Sequence, residues 1–369
     1  MNEKRLLETF LELVQIDSES GHEKAVANYL VTRFDSLSMD WQIDKAGEQI
    51  DSDVGNLFAR MKGTVPGSIC LSAHMDTVKP GIGVKPQTKS GFITSDGTTI
   101  LGADDKSGLA VMLEVLEYFK DRPHPTIELV CDIQEEMGLR GASLFDASVL
   151  ESKETIVLDT NGAPGAIIMA APYQVVYNTI INGKSSHAGI APEKGISAIR
   201  VASEAIANMK LGRIDKETTS NIGVIKGGKS FNIVPDYCEV LFEARSIDKT
   251  KFDTQVSHMK DEFLRACGKV GATVEFVPEN LLVGFRFTPE DELPSKLAKA
   301  ATDVGIEPRF DISGGGSVAN VFNAKGKTAV VVSTGMENPH GLDERIKIEH
   351  LNQLGKWMIR LVEIVGGVA

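Results

Sequence analysis

Along the first 170 residues, short apolar runs alternate with segments whose apolar residues recur every three to four positions, and few folds accommodate that rhythm. "NLFARM", "SICLSAH", "TIELVCDI" and "TIVLDT" read as strands. "RLLETFLELV" places Leu6, Leu7, Phe10, Leu13 and Val14 on one helical stripe, and a second helix runs from about Ser107 to Phe119. The alternation predicts an α/β domain. In "SESGHE", Ser20 and Glu23 have the spacing of a capping box for the helix "EKAVANYLVTRF".

Near Ala171-Pro172 the pattern changes. "VVYNTIING" reads as a strand, "GISAIRVASEAIANMK" as a helix, and "SNIGVIKGG" and "YCEVLFEARS" as strands. "DTQVSHMKDEFLRACGKVG" then reads as a helix and "TVEFVPEN" as a strand. The order β-α-β-β-α-β is that of the split βαβ, or ferredoxin-like, sandwich. From about Pro289 the α/β pattern returns, ending in the strand "TAVVVS" and the helix "HLNQLGKWMIRLVEIV". Residues 1–172 and 285–369 are therefore expected to form one discontinuous domain, with 173–284 inserted into it.

At 369 residues the chain can bury a large core. A formal net charge of −12 opposes non-specific binding to nucleic acid or an anionic membrane surface. The amphipathic first helix reads as core rather than as a targeting segment, and no apolar run reaches membrane-spanning length. Cys70, Cys131, Cys238 and Cys267 form no CxxC pair, which disfavours a cysteine zinc module and points to a reducing compartment, the cytoplasm.

In an open α/β sheet, ligands collect beyond the carboxyl ends of the strands. "SICLSA" ends in His74, with Asp76 two residues on; "TTILGA" ends in Asp104-Asp105 and "TIELVCDIQ" in Glu135-Glu136. "TIVL" ends in Asp159, and "TAVVVS" leads to His340 in "ENPHGLDE". Acid and imidazole are the donors used for zinc and similar divalent ions. Converging carboxylates repel unless cations neutralise them. Two imidazoles and four carboxylates exceed one tetrahedral zinc but suit two ions about 3.5–4 Å apart sharing a bridging carboxylate. Asp76 is placed to hold His74 by its other ring nitrogen. In Glu135-Glu136, diverging side chains would let one bind metal while the other faces water as a general base. Each signal alone has a plain reading: Asp104-Asp105 as a helix cap, His340 as a surface histidine.

"HMDTV", "GADDKSG", "EEMGLRGA", "LDTNG" and "NPHG" together resemble the successive metal-site motifs of the dinuclear zinc exopeptidases and deacylases related to peptidase T and carboxypeptidase G, closest to the peptidase T-like subgroup. The resemblance spans nearly the whole chain. It implies a mixed-sheet catalytic domain with an inserted lid and dimerisation domain. It assigns His74 and Asp159 to one zinc, Glu136 and His340 to the other, and Asp104 to a bridge, with Glu135 as general base and Asp76 behind His74. It also implies a cis peptide between Asp104 and Asp105. Cobalt or manganese would suit the same ligands.

In the inserted segment, "NGKSSHAGIAPEKG" carries His187, read from its surroundings as an exposed loop histidine. By resemblance it polarises the scissile carbonyl, in many relatives from the partner subunit of a homodimer. Asn232, Arg245, Gly315 and Ser317 match substrate-binding positions, and a guanidinium suits a substrate carboxylate; an ordinary surface ion pair is the equal alternative for Arg245. Relatives usually read Gly-Gly-Ser/Thr-Asp where this chain has Gly315-Gly316-Ser317-Val318, and Val318 cannot make an aspartate's hydrogen bonds. The expectation is hydrolysis of an amide bond in a small peptide, as by a tripeptide aminopeptidase. The rivals are an N-acyl amino acid deacylase of the same architecture, a weakly catalytic zinc-binding protein and a two-metal phosphoesterase.

Overall fold

The computed structural model describes residues 1–368. The chain forms two compact units: one of Met1–Met169, Phe287–Ser313 and Ser317 onward, the other of Ala170–Arg286 with Gly314–Gly316.

The first unit is built on a mixed sheet, as predicted. Its strands run in the spatial order Asp40–Ile43, Leu57–Met61, Thr126–Asp132, Ser68–His74, Glu154–Thr160, Thr328–Ser333, Ala166–Ala171. The four middle strands are parallel to one another, and the flanking ones pair antiparallel. The middle strands are buried almost throughout because helices cover them, which is why their sequences are apolar at successive positions. Parallel strands share a direction, so His74, Asp132 and Asp159 emerge at the same edge.

The helix Ala103–Phe119 packs on the strand Ser68–His74 and against the helices Glu3–Val14 and Ile348–Gly366. It is buried on every side from Ala103 to Leu116, so it carries no amphipathic stripe. Leu6, Phe10, Leu13, Leu116 and Trp357 form part of this core. Glu114, the one carboxylate in the helix's buried middle, accepts both Nε of Arg5 at 2.7 Å and Nη2 at 3.0 Å, which satisfies a charge that would otherwise be costly there.

One local expectation fails. The helix Lys24–Ser36 has no side-chain cap. The Ser20 hydroxyl donates instead to Asp76 Oδ2 at 2.6 Å, and Glu23 is fully buried, accepting from Gly21 N, Ser52 Oγ and Gln134 N. Tertiary partners outcompete the local cap because both side chains point inward.

The second unit has the ferredoxin-like arrangement. Its sheet runs Gly212–Arg213, Thr218–Gly227, Tyr237–Ser246, Tyr173–Asn182, Thr273–Leu282, with every neighbouring pair antiparallel. The helices Ala198–Asn208 and Lys249–Val270 pack on it around Phe242, Met259 and Phe263. Asp248 caps the longer helix by accepting from Lys251 N, and Gly271, at φ +75°, ends it in the left-handed conformation. Among the described residues no helix is long and apolar enough to cross a membrane.

Candidate metal centre

Beyond the carboxyl edge of the parallel strands, one carboxylate faces two imidazoles. Asp104 Oδ1 lies 3.1 Å from His74 Nε2, and Asp104 Oδ2 lies 3.3 Å from His340 Nε2. His74 Nε2 is also 3.9 Å from Asp159 Oδ1, and His340 Nε2 is 2.9 Å from Glu136 Oε1. Three sets of side chains converge tightly enough to share a cation: Asp104, Glu136 and His340; His74, Asp105 and Asp159; His74, Glu135 and Glu136. Within each set the donor atoms lie within 4.8 Å of one another.

Local backbone explains the aim of each group. Asp104 and Asp105 sit at the start of a helix but keep non-helical φ/ψ, joined by a cis peptide bond, as the resemblance implies. Gln134 takes φ +48° and opens a turn rather than extending the strand. One oxygen each of Glu135 and Glu136 lies within 4.8 Å of the other and of a ring nitrogen of His74. His340 itself has φ +66°.

Asp76 does more than its spacing suggested. His74 Nδ1 lies 2.9 Å from the backbone carbonyl oxygen of Asp76 and 3.3 Å from its carboxylate. The carboxylate also accepts the N–H of Glu135 at 2.9 Å and of Glu136 at 3.3 Å, so one side chain holds the imidazole and the two glutamates in register.

The electrostatics favour a bound cation. Burial pushes the carboxyl of Glu135 up to about 8, and the charges of Glu136, Asp132 and Asp104 add to that. Burial likewise raises Glu136, Asp105 and Asp159, and lifts Asp132 to about 7. For Asp104 burial acts the same way, but hydrogen bonds to His340 and His74 win and hold its carboxyl below the usual range. Proximity to Asp104 draws His340 up to about 9; His74 is raised by Asp104 and Asp76 in spite of burial. Buried Asp105 Oδ2 and Glu136 Oε1 accept no hydrogen bond, the latter despite its 2.9 Å approach to His340. Acidic and imidazole donors, crowded and incompletely hydrogen-bonded, are what a divalent metal site requires.

His187, Asn232, Arg245 and Gly315 belong to the second unit and Ser317 to the first. His187 is exposed and sits beside Asn232, whose carbonyl accepts the N–H of Ala188 at 2.9 Å. Arg245 is held by Glu243 at 2.7 Å and reaches the Gly314 carbonyl at 3.4 Å. Ser317 caps the helix Val318–Ala324, accepting from Ala319 N, and Val318 is buried. Glu344 went unnoticed in the sequence. It is 1% exposed and accepts the N–H groups of Leu101, Gly102 and Asp104, while burial pushes its carboxyl to about 7. An acid in a loop four residues after His340 carries no periodic signal that would single it out.

Residues 174–270 match the M20 peptidase dimerisation domain, and residues 56–203 match peptidase family M28. The chain is 43% identical over 366 residues to the uncharacterized protein YqjE of Bacillus subtilis, covering 98% of this chain and 99% of that one. Its fold is similar to the crystal structure of aminopeptidase PepT from Bacillus cereus, with a TM-score of 0.92, 41% identity and 99% of both chains covered. A tripeptidase from Staphylococcus aureus superposes with a TM-score of 0.93 and 40% identity over 100% of this chain and 99% of that one. Agreement of this order covers the chain from end to end. The chain belongs to the peptidase T-like family of metallopeptidases.

Proposed function

We propose that this protein is a dinuclear zinc aminopeptidase that releases the amino-terminal residue of small peptides, tripeptides foremost. The observation that carries the reading is the double-faced Asp104, which offers one oxygen toward His74 and the other toward His340. His74 and Asp159 would hold one ion, Glu136 and His340 the second, and Asp104 both. Zinc bound there would polarise the scissile carbonyl and lower the pKa of water.

The chain's own groups handle the protons. Glu135, within the donor cluster beside Glu136, is assigned to take the proton of the attacking water and return it to the leaving amine, ending as it began. Asp76 holds Glu135 in place through its backbone N–H. His187 is assigned to the carbonyl oxygen, where a well-aimed donor contributes about 2.7–4 kcal/mol to the transition state. Asn232, Arg245, Gly315 and Ser317 are assigned to the substrate, with Arg245 toward its carboxylate. The names of the Bacillus cereus and Staphylococcus aureus relatives support tripeptides as substrate. The match to a dimerisation domain supports a homodimer formed through the inserted unit. Four buried free cysteines accord with the cytoplasm.

The experiment is a zinc-replete assay on tripeptides, dipeptides, N-acetyl and N-succinyl amino acids, with metal content measured alongside. Release of the first residue from tripeptides, with two zinc ions per chain, is expected. Acid release from the acyl substrates alone would make the protein a deacylase, and a protein that takes up no zinc would end the metal reading.

A further inference from the structure

The first turn of the helix Ala103–Phe119 lacks a cap of its own. Its N-cap residue is Gly102, at φ +76°, with no side chain to accept the free amides. The acceptor comes from far along the chain. Glu344 Oε2 accepts the N–H of Leu101 at 2.8 Å and of Gly102 at 2.7 Å, while Oε1 accepts that of Asp104 at 3.0 Å. Glu344 in turn is fixed to its own loop, its N–H donating to the Gly341 carbonyl at 3.1 Å, one residue from His340.

We infer that Glu344 is a positioning residue that locks the turn bearing Asp104 to the loop bearing His340 and so sets the two faces of the metal centre before any cation arrives. Both of its oxygens are occupied by amides, and it belongs to none of the converging donor sets, so it acts through Asp104 and His340 rather than as a ligand. Without it, the Asp104 amide loses its acceptor in a buried setting, and, among the described residues, the His340 loop keeps only the His340–Asp104 approach as a side-chain link to the turn that bears Asp104. Groups behind the ligands typically change metal affinity by about 10–100-fold when removed. The inference rests on Asp104 being a shared ligand.

The test is Glu344→Gln. Glutamine keeps the shape but has one acceptor oxygen, so either the Leu101–Gly102 pair or Asp104 must face an amide N–H₂. Native protein and variant are stripped with chelator, checked by circular dichroism, and titrated with Co²⁺ while the visible absorption is followed. An intact circular dichroism spectrum, affinity for Co²⁺ weakened about 10–100-fold and altered absorption bands are expected. Should Glu344→Gln fail to fold, Glu344→Asp retains the charge but draws the oxygens back, and is expected to weaken Co²⁺ binding with the same change of bands. A folded variant of either kind with native affinity and bands would overturn the inference while leaving the metal reading intact. Native protein that binds no Co²⁺ would remove both.

Discussion

Replacing Glu135 by glutamine removes an ionisable group from the crowded edge of the sheet without changing its shape, so it should separate stability from catalysis. Burial, reinforced by Glu136, Asp132 and Asp104, lifts the Glu135 carboxyl from its ordinary 4.5 to about 8 in the metal-free protein. A group whose folded value is raised contributes stability that is complete below its unfolded value and is lost as pH climbs through the folded one. Each pH unit in that interval costs about 1.4 kcal/mol, so by pH 7 native protein has given up about 3 kcal/mol that glutamine keeps. Neighbouring carboxylates share the burden, which makes this a ceiling. The assay is urea denaturation of chelator-stripped native protein and Glu135→Gln between pH 5 and pH 8. At pH 5 the two should lie within about 1 kcal/mol, with the variant increasingly the more stable as pH rises. In zinc-replete form the same variant should hydrolyse peptides at least about 100-fold more slowly. A variant less stable than native at pH 7, or a gap that does not grow with pH, would refute the electrostatic reasoning; near-native turnover would refute the assignment of Glu135 as base.

Asp104→Asn leaves one acceptor oxygen where two now face His74 and His340. Equilibrium dialysis with metal analysis should show loss of at least one bound zinc, and two ions at native affinity would contradict a shared ligand. Gly108→Ala would place a Cβ 2.7 and 2.9 Å from the oxygens of Asp105 and 3.0 Å from Ala73 Cβ. Overpacking of about 1–3 kcal/mol should outweigh a helix-propensity gain of about 1 kcal/mol or less, so the melting temperature should fall by a few degrees. Chelation should abolish peptide hydrolysis while leaving the far-ultraviolet circular dichroism unchanged, with activity returning on addition of zinc; activity that survives chelation would exclude a metal-dependent step.

Much of the architecture was readable because it rests on periodicity. Apolar runs at 68–74, 126–132 and 154–160 have the length of buried strands, too short for helices, and the β-α-β-β-α-β order after Ala171 is spelled out by alternating periods. The convergence of His74, Glu136 and Asp159 was readable for a related reason: strands that run parallel deliver their ends to one edge. Asp104 reaches the same place by another route, because "TTILGA" forms no strand and the aspartate stands at the start of the helix Ala103–Phe119. The capping box at Ser20–Glu23 misled because local spacing says nothing about competing partners, and here Asp76, Ser52 and Gln134 won.

The sequence by itself thus determined which elements form and which donors stand at their ends, since both follow from side-chain type and local period. Only the tertiary structure decided how those donors are aimed: the turn at Gln134 that sends both glutamates inward, the Asp76 carboxylate holding their amides, and Glu344 reaching 240 positions back to Asp104. A hydrogen bond between residues so far apart is selected by the packing of finished elements, and no pattern along the chain encodes it.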